Sequence, residues 1–216
     1  MSKYKILYVD EVDSERRRFK TYIYNNDTDK EFTTIAPEID YELEVFVDTI
    51  LNGNYDAIIT DHKLNEENSN IQFDGIDLVE AILKKRINFP CFILTSFDDE
   101  AVRDGEDVNI VYIKGLMESD EEKEGHKAKF IDKIKNQIKH HRKKIDNAKN
   151  ELEELIKKGY LDASDEAKLL ELDTYIEKVT NIPSSLPVHL KSMQNLCELH
   201  KMIDNTEKFL AELKGK

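Results

Sequence analysis

Five polar residues close four short apolar runs in the first half of the chain, and their types could carry phosphoryl and metal chemistry. The runs ILYVDE, AIITD, FILTS and IVYIK place these residues at Asp10, Glu11, Asp61, Thr95 and Lys114. If the runs are parallel strands, the five residues meet at the sheet edge where open α/β sheets bind their ligands. Carboxylates, a hydroxyl and an ammonium group at one edge could bind a divalent cation and the oxygens of a phosphoryl group.

The three carboxylates predict a cation at this edge. Asp10, Glu11 and Asp61 would lie at the ends of neighbouring strands, and two carboxylates about 4 Å apart repel by roughly 4 kcal/mol at an effective dielectric near 20. Mg²⁺ would relieve that repulsion, because it takes one or two carboxylates, keeps waters and accepts phosphate oxygens. Lys114 would then supply a positive charge, and Thr95 a donor, to a phosphoryl group on Asp61.

The elements that would position these residues alternate between strand and helix. Short apolar runs that fit buried parallel strands occur at 5–9, 57–60, 91–95 and 110–113, with a weaker one at 32–36. Helical patterns lie between them at roughly 13–25, 39–51 and 74–86. This alternation predicts an α/β fold.

The segments that carry these residues resemble the receiver domain of two-component response regulators. KILYVDEVDSERRRF is similar to the family's first strand, acidic pair and first helix, and DAIITDHKL to its phosphoacceptor strand. FDGIDLVEAI resembles the start of the third helix, FPCFILTS the strand that ends in the switch hydroxyl, and IVYIKG the strand that bears the lysine. The resemblance covers residues 3–118 and implies a flavodoxin-like, doubly wound sheet of five parallel strands in the order 2-1-3-4-5.

The resemblance also implies a reaction and a partner. Asp61 would accept a phosphoryl group from a sensor histidine kinase or a phosphotransfer protein in a Mg²⁺-dependent reaction. Asp10, Asp61 and the backbone carbonyl of Lys63 would be direct metal ligands, and Glu11 would often act through water. Beyond catalysing its own phosphorylation and dephosphorylation, we expect the protein to be no enzyme.

Two positions depart from the receiver pattern and keep alternatives open. Gly115 stands where the family has proline after the lysine. Val111 stands where an aromatic residue usually lies three positions before the lysine, and Tyr112 falls on the other face of the strand. One alternative is therefore a degenerate receiver that serves as a scaffold, and another is a phosphate sink or relay without an output.

A helical pattern replaces the strands from about residue 121. Apolar positions from Ile131 to Leu155 keep a seven-residue register, which predicts a coiled-coil-like seam. A second helix capped by Ser164 and a third helix after NIPSSLPV would complete an all-α hairpin or bundle. We therefore predict a receiver domain at 1–119 and a helical interaction module at 120–216.

The predicted function is a response regulator that is phosphorylated on Asp61. Phosphorylation would change protein–protein contacts, or form a homodimer, through the helical half. The module carries no glycine-rich phosphate loop and no arrangement of an activated serine or cysteine, which argues against an enzymatic output domain.

Charge limits the classes of partner. Residues 1–118 hold 13 Lys/Arg and 26 Asp/Glu, so the whole net charge of -13 lies there, and an acidic domain repels nucleic acid. The segment 126–150 has nine Lys/Arg against two acidic residues. Because its half of the chain is neutral and holds no recognition motif, we do not expect nucleic acid as a partner. An RNA-binding antiterminator stays as an alternative, which salt-sensitive RNA binding would support.

Hydropathy bears on the location of the protein. No apolar run approaches the roughly 18 residues that a membrane span needs. The first ten residues hold an apolar stretch too short for the core of a signal peptide. We therefore expect a cytoplasmic protein without membrane insertion.

Overall fold

Strands and helices alternate through the first half of the chain, as the sequence predicts. The computed structural model describes residues 3–66, 68–95, 129–158, 161–181 and 206, and the backbone of 111–113. The elements of the sheet half are β1 (Tyr4–Val9), α1 (Asp13–Asn26), β2 (Phe32–Ile35), α2 (Leu43–Asn52), β3 (Ala57–Asp61), α3 (Gly75–Lys85), β4 (Cys91–Thr95) and β5 (Val111–Ile113). Two further helices follow, α4 (Phe130–Lys157) and α5 (Ala163–Thr180).

The five strands form one parallel sheet in the order β2-β1-β3-β4-β5. This confirms the predicted flavodoxin-like fold class and its strand order. The central strands β1, β3 and β4 are buried along almost their whole length, which explains why they read as nearly continuous apolar runs.

Each face of the sheet is covered by a separate apolar cluster. The face that carries Leu7 and Ile58 packs against α2 and α3. The opposite face, with Ile6 and Ile59, packs against α1 and the beginning of α4. The sheet is therefore a buried middle layer, and its carboxyl edge is the place where side chains at the strand ends meet.

The first turns of α4 belong to the core of the sheet half. Ile131, Ile134 and Ile138 are buried in the same cluster as β1 and α1. The backbone N–H of Ile131 donates to the hydroxyl of Tyr22 on α1 at 3.2 Å. His141, one turn further, lies edge to face against Phe89, with ring centroids 6.1 Å apart.

The coiled-coil interpretation is therefore wrong over this stretch. The heptad positions up to His141 face the chain's own sheet half instead of a second helix of the same kind. The physical reason is that a helix buried against a sheet carries the same narrow apolar stripe as a helix in a coiled coil.

The chain divides into two compact units, residues 1–143 and 144–216. The sequence placed the boundary after residue 119, because the strands end there. The described division lies further along, since the turns of α4 from Phe130 to residue 143 complete one face of the sheet. One helix thus runs without interruption from the first unit into the second.

In the second unit, the described part contains the end of α4 and the whole of α5. Leu169, Leu172 and Val179 on α5 are buried. The predicted Ser164 cap is wrong by two positions. Asp162 caps α5, its side chain accepting from the backbone N–H groups of Ser164 and Asp165, and Asp165 returns the contact in a capping box.

Several predictions fall outside the described residues. They are Lys114, Gly115, the third helix after NIPSSLPV and Cys197. Cys91 is a buried free thiol on β4, and its burial raises the pKa to about 12, which suits an inert core cysteine. Among the described helices, none combines the length and apolar character needed to cross a membrane.

Arg142 ties α4 to the amino ends of the sheet strands and carries a prediction. Its guanidinium donates to the Asp56 carboxylate at 2.7 Å and to the backbone carbonyl of Lys3 at 3.0 Å. We expect Arg142→Ala to lower the free energy of unfolding by up to about 1 kcal/mol, since the pair is partly exposed. Chemical denaturation measures the change.

Lys143→Ala is the matched control, because Lys143 is the next residue along and is exposed. It removes the same kind of charge without removing the contacts to Lys3 and Asp56. Equal free energies of unfolding for the two variants would contradict a specific role of Arg142.

Candidate functional site

Two buried carboxylates lie side by side at the carboxyl edge of the sheet. Val9 of β1 is paired with Thr60 of β3 in the parallel register, so the next residues along, Asp10 and Asp61, end neighbouring strands. Asp10 is fully buried and Asp61 is 7% exposed. Neighbouring strands lie about 4.8 Å apart, which places two acidic groups together in a poorly solvated region.

Both oxygens of Asp10 accept hydrogen bonds from its own strand and loop. The hydroxyl of Tyr8 donates to Oδ2 at 2.7 Å, and the backbone N–H of Val12 donates to Oδ1 at 2.9 Å. Arg16 on α1 donates to the backbone carbonyl of Asp10 at 2.8 Å and holds the loop in place. The carboxylate is thus oriented by neutral donors in the folded protein.

The pKa of the Tyr8 hydroxyl is affected by burial and by both acidic groups. Burial raises the pKa of its hydroxyl far above the ordinary value, and the charges of Asp10 and then Asp61 raise it further. The hydroxyl therefore stays protonated at neutral pH and acts as a donor.

Asp61 is the last residue of β3, and the turn behind it fixes its backbone. The N–H of Lys63 donates to Oδ2 of Asp61 at 3.1 Å. His62 donates its N–H to the carbonyl of Leu94 on β4 and accepts from the N–H of Gly75, both at 2.8 Å. The end of β3 is thus joined to β4 on one side and to the start of α3 on the other.

Gly75 allows α3 to begin directly against the end of β3. A Cβ built at this position would lie 2.0 Å from the backbone oxygen of Asp61, which no side chain tolerates. The helix starts here because Asp74 accepts from the N–H groups of Ile76 and Asp77 in a capping box. A glycine is therefore required by close approach at the residue that follows the cap.

Thr95 ends β4 on the other side of Asp61. It is 3% exposed, and its register partner on β5 is Ile113, so Lys114 is the next residue along that strand. Asp61 itself is paired with Leu94. The strand register thus brings Thr95 to the same edge as Asp10 and Asp61, while the position of Lys114 lies outside the described residues.

The carboxylates at this edge of the sheet are ligands of the type that Mg²⁺ prefers. Among the described residues, no group of three or more His, Cys, Asp or Glu side chains is placed to hold a metal ion. Glu11 is half-buried, and its predicted role at the metal stays a prediction. A pair of buried carboxylates is nevertheless what Mg²⁺ takes from proteins, with waters and phosphate oxygens as its remaining ligands.

Sequence reasoning missed two residues of this site. Tyr8 was counted only as part of an apolar strand, although its place two residues before Asp10 put both on the same face. Gly75 was seen only as part of a helix-opening segment. The signal for its role was a glycine directly after a capping aspartate, at the start of an amphipathic helix.

Comparison with known proteins finds similarity in solved structures alone. No protein-family model and no curated protein matches the chain. One similar structure is RcsB from Salmonella enterica serovar Typhimurium bound to the promoter rprA with the phosphomimetic BeF3-, at 12% identity and a TM-score of 0.43, covering 83% of this chain and 87% of that one.

Two further structures of the Salmonella typhimurium RcsB response regulator are similar. One has 12% identity and a TM-score of 0.43, and covers 87% of this chain and 97% of that one. The other has 14% identity and a TM-score of 0.41, and covers 88% and 96%. Both were described in work on conformational dynamism for DNA interaction.

One prediction is corrected by this finding. The sequence led us not to expect nucleic acid as a partner, but a structurally similar chain is bound to promoter DNA. We withdraw that exclusion. The resemblance to receiver domains is confirmed as a likeness of fold, which the strand order of the sheet carries by itself.

Proposed function

We propose that this chain is a phosphorylation-controlled switch of the response-regulator type, with Asp61 as the phosphoacceptor. The observation that carries the proposal is the pair of buried carboxylates, Asp10 and Asp61, at the carboxyl edge of a sheet of order 2-1-3-4-5. Such a pair is unfavourable unless a cation or a shifted pKa relieves it. A site that binds a cation and accepts a phosphoryl group would explain why two carboxylates that repel each other are buried side by side.

The reaction we propose is a transfer to a carboxylate oxygen. An oxygen of Asp61 attacks the phosphorus of a phosphohistidine or of a small acyl phosphate. The new O–P bond forms as the bond to the leaving group breaks, and the leaving group takes the electron pair. Asp10 and Asp61 would hold Mg²⁺, which when bound supplies positive charge to the phosphoryl oxygens.

The chain's own residues would position the acceptor. The N–H of Lys63 holds one oxygen of Asp61, and the contacts of His62 with β4 and Gly75 hold its backbone. Thr95, buried at the end of β4, is the proposed donor to a phosphoryl oxygen, and Lys114 is the proposed second cation. The receiver resemblance implies the same roles for residues at these positions.

The proposed output runs through α4. Its first turns pack on the sheet face that carries Tyr8, and the same helix continues into the second unit. A change in the contacts of β1 or α1 on phosphorylation would therefore reach the helical module along one element. Such coupling requires that the contacts differ in free energy between the two states.

The first test is labelling of Asp61. We expect the protein, incubated with Mg²⁺ and acetyl phosphate, to gain one phosphoryl group by mass, in a linkage that hydroxylamine cleaves as it cleaves acyl phosphates. Asp61→Asn should take up none. Asp48→Asn is the matched control, since Asp48 is an exposed aspartate that contacts Lys85 on the surface, and it should label like the unsubstituted chain.

The second measurement separates the switch from its alternatives. Hydrogen exchange of residues 130–157 and the oligomeric state are followed with and without beryllofluoride. Labelling with altered exchange in α4 supports the switch, whereas labelling without it supports a phosphate sink or relay. No labelling of the unsubstituted chain would contradict phosphoryl transfer and would favour the alternative of a degenerate receiver that serves as a scaffold.

A further inference from the structure

Tyr8 is a polar residue in the middle of an apolar face. It is fully buried on β1 and stacks on Phe19 of α1, with ring centroids 4.1 Å apart and an interplanar angle of 8°. Its hydroxyl reaches the carboxylate of Asp10 at 2.7 Å. The ring thus belongs to the core, while the oxygen belongs to the candidate site.

We propose that Tyr8 is a positioning residue for the cation, acting by fixing the orientation of the Asp10 carboxylate. This inference rests on the proposed function, because it assumes that Asp10 holds Mg²⁺. It adds a residue that the receiver resemblance assigns to no role in this chain. Tyr8 would act through Asp10 and would not touch the metal or the phosphoryl group.

Tyr4 shows that the hydroxyl of Tyr8 is not a requirement of packing. Tyr4 lies four residues earlier on the same strand, on the same sheet face and in the same apolar cluster. It is 1% exposed and packs its ring on Phe32 at 5.1 Å. Within the described part of the chain, however, its hydroxyl makes no hydrogen bond. This face therefore accepts a tyrosine ring without using its oxygen.

The two donors to Asp10 act together. The N–H of Val12 on Oδ1 and the hydroxyl of Tyr8 on Oδ2 hold opposite ends of the carboxylate, so its rotation costs a hydrogen bond in either direction. A neutral donor also stabilises the charged carboxylate beside Asp61 without adding a competing cation. Because a carboxylate oxygen has two lone pairs, accepting one hydrogen bond does not prevent it from binding a metal ion.

Removing the Tyr8 hydroxyl would leave the Asp10 carboxylate less well oriented as a metal ligand. Groups that orient metal ligands through hydrogen bonds typically contribute 10- to 100-fold to metal affinity. Tyr8→Phe keeps the ring and its contact with Phe19 and removes the oxygen alone. We therefore expect Tyr8→Phe to raise the Kd for Mg²⁺ by about tenfold, at the lower end of that range because Val12 still holds Oδ1.

The experiment is calorimetric titration of the full chain with Mg²⁺, without phosphodonor. Unsubstituted protein, Tyr8→Phe and Tyr4→Phe are compared, and Tyr4→Phe is the matched control because it removes a buried hydroxyl from the same face. We expect the Kd of Tyr4→Phe to equal that of the unsubstituted chain. Circular dichroism in EDTA checks that each variant is folded, and the carboxyl ¹³C shift of Asp10 reports the lost hydrogen bond directly.

A second readout separates positioning from a general structural effect. In acetyl phosphate labelling, Tyr8→Phe should need about tenfold more Mg²⁺ for half-maximal labelling and should reach the same level at saturation. A merely destabilised protein would lose labelling at all Mg²⁺ concentrations, and that result would overturn the inference.

The outcomes distinguish this inference from the proposed function. Equal Mg²⁺ affinity of Tyr8→Phe and Tyr4→Phe, or tighter binding by Tyr8→Phe, would overturn the role of Tyr8 and leave labelling of Asp61 standing. Weakened Mg²⁺ binding by Tyr8→Phe, together with no labelling of the unsubstituted chain, would support the role of Tyr8 and contradict the phosphoacceptor. No Mg²⁺ binding by the unsubstituted chain would overturn both.

Discussion

Ile134→Ala should destabilise the sheet half by about 2–5 kcal/mol, although Ile134 lies beyond the last strand. Its side chain is fully buried, and it belongs to the cluster that contains Ile6, Tyr8 and Ile59 of the sheet. Truncation would leave a cavity between α4 and the sheet, which the surrounding strands cannot close because they are hydrogen-bonded on both sides. Chemical denaturation followed by far-UV circular dichroism measures the change.

Ile156→Ala is the matched control for this prediction. Ile156 lies on the same helix but is 62% exposed, so its truncation should change the free energy of unfolding by no more than about 0.5 kcal/mol. If Ile134→Ala were as mild as Ile156→Ala, α4 would not be packed on the sheet. In that case the seam would have to face another helix, as the heptad pattern first suggested.

Gly75→Ala should disturb the end of β3 directly. The added methyl group would lie 2.0 Å from the backbone oxygen of Asp61, so either α3 or the end of β3 must move. Overpacking of this kind costs about 1–3 kcal/mol, and here the atom that blocks the methyl group is backbone, which cannot rotate away. We expect lower stability and a slower labelling of Asp61, measured by denaturation and by mass.

Gly53→Ala provides the comparison. Gly53 ends α2 in a right-handed helical conformation that alanine adopts, and its added methyl group would meet the ring of Tyr55. A side chain can turn aside, so the cost should be smaller, and Asp61 should label at the normal rate. Normal labelling by Gly75→Ala would show that the approach of α3 to β3 does not position the acceptor.

The sheet and its acidic edge could be predicted because they depend on local patterns. Buried parallel strands are short apolar runs, and a polar residue that closes such a run must lie at the carboxyl edge. Asp10, Asp61 and Thr95 were placed correctly by this argument alone. The strand order, by contrast, was predicted only from the receiver resemblance, because hydrophobic periodicity does not show which strands are neighbours.

The packing partner of α4 could not be predicted, because a stripe of apolar residues shows which face of the helix is buried but not what covers that face. The heptad register from Ile131 to His141 suits a second helix and a sheet face equally well. The predicted boundary after residue 119 follows the end of the strands, whereas the two compact units divide after residue 143. Tyr8 was missed for a related reason, because an aromatic residue in a strand is ordinarily a core residue, and only the structure shows that its hydroxyl contacts Asp10.

Because α4 is one continuous helix across residue 143, a change in its length also changes the helical phase of its apolar positions. Every residue inserted after Lys143 would rotate the remaining turns of α4 by about 100° and advance them by about 1.5 Å along the helix axis. Insertions of seven residues, which are close to two whole turns, would therefore keep the apolar positions of α4 on one face far better than insertions of two.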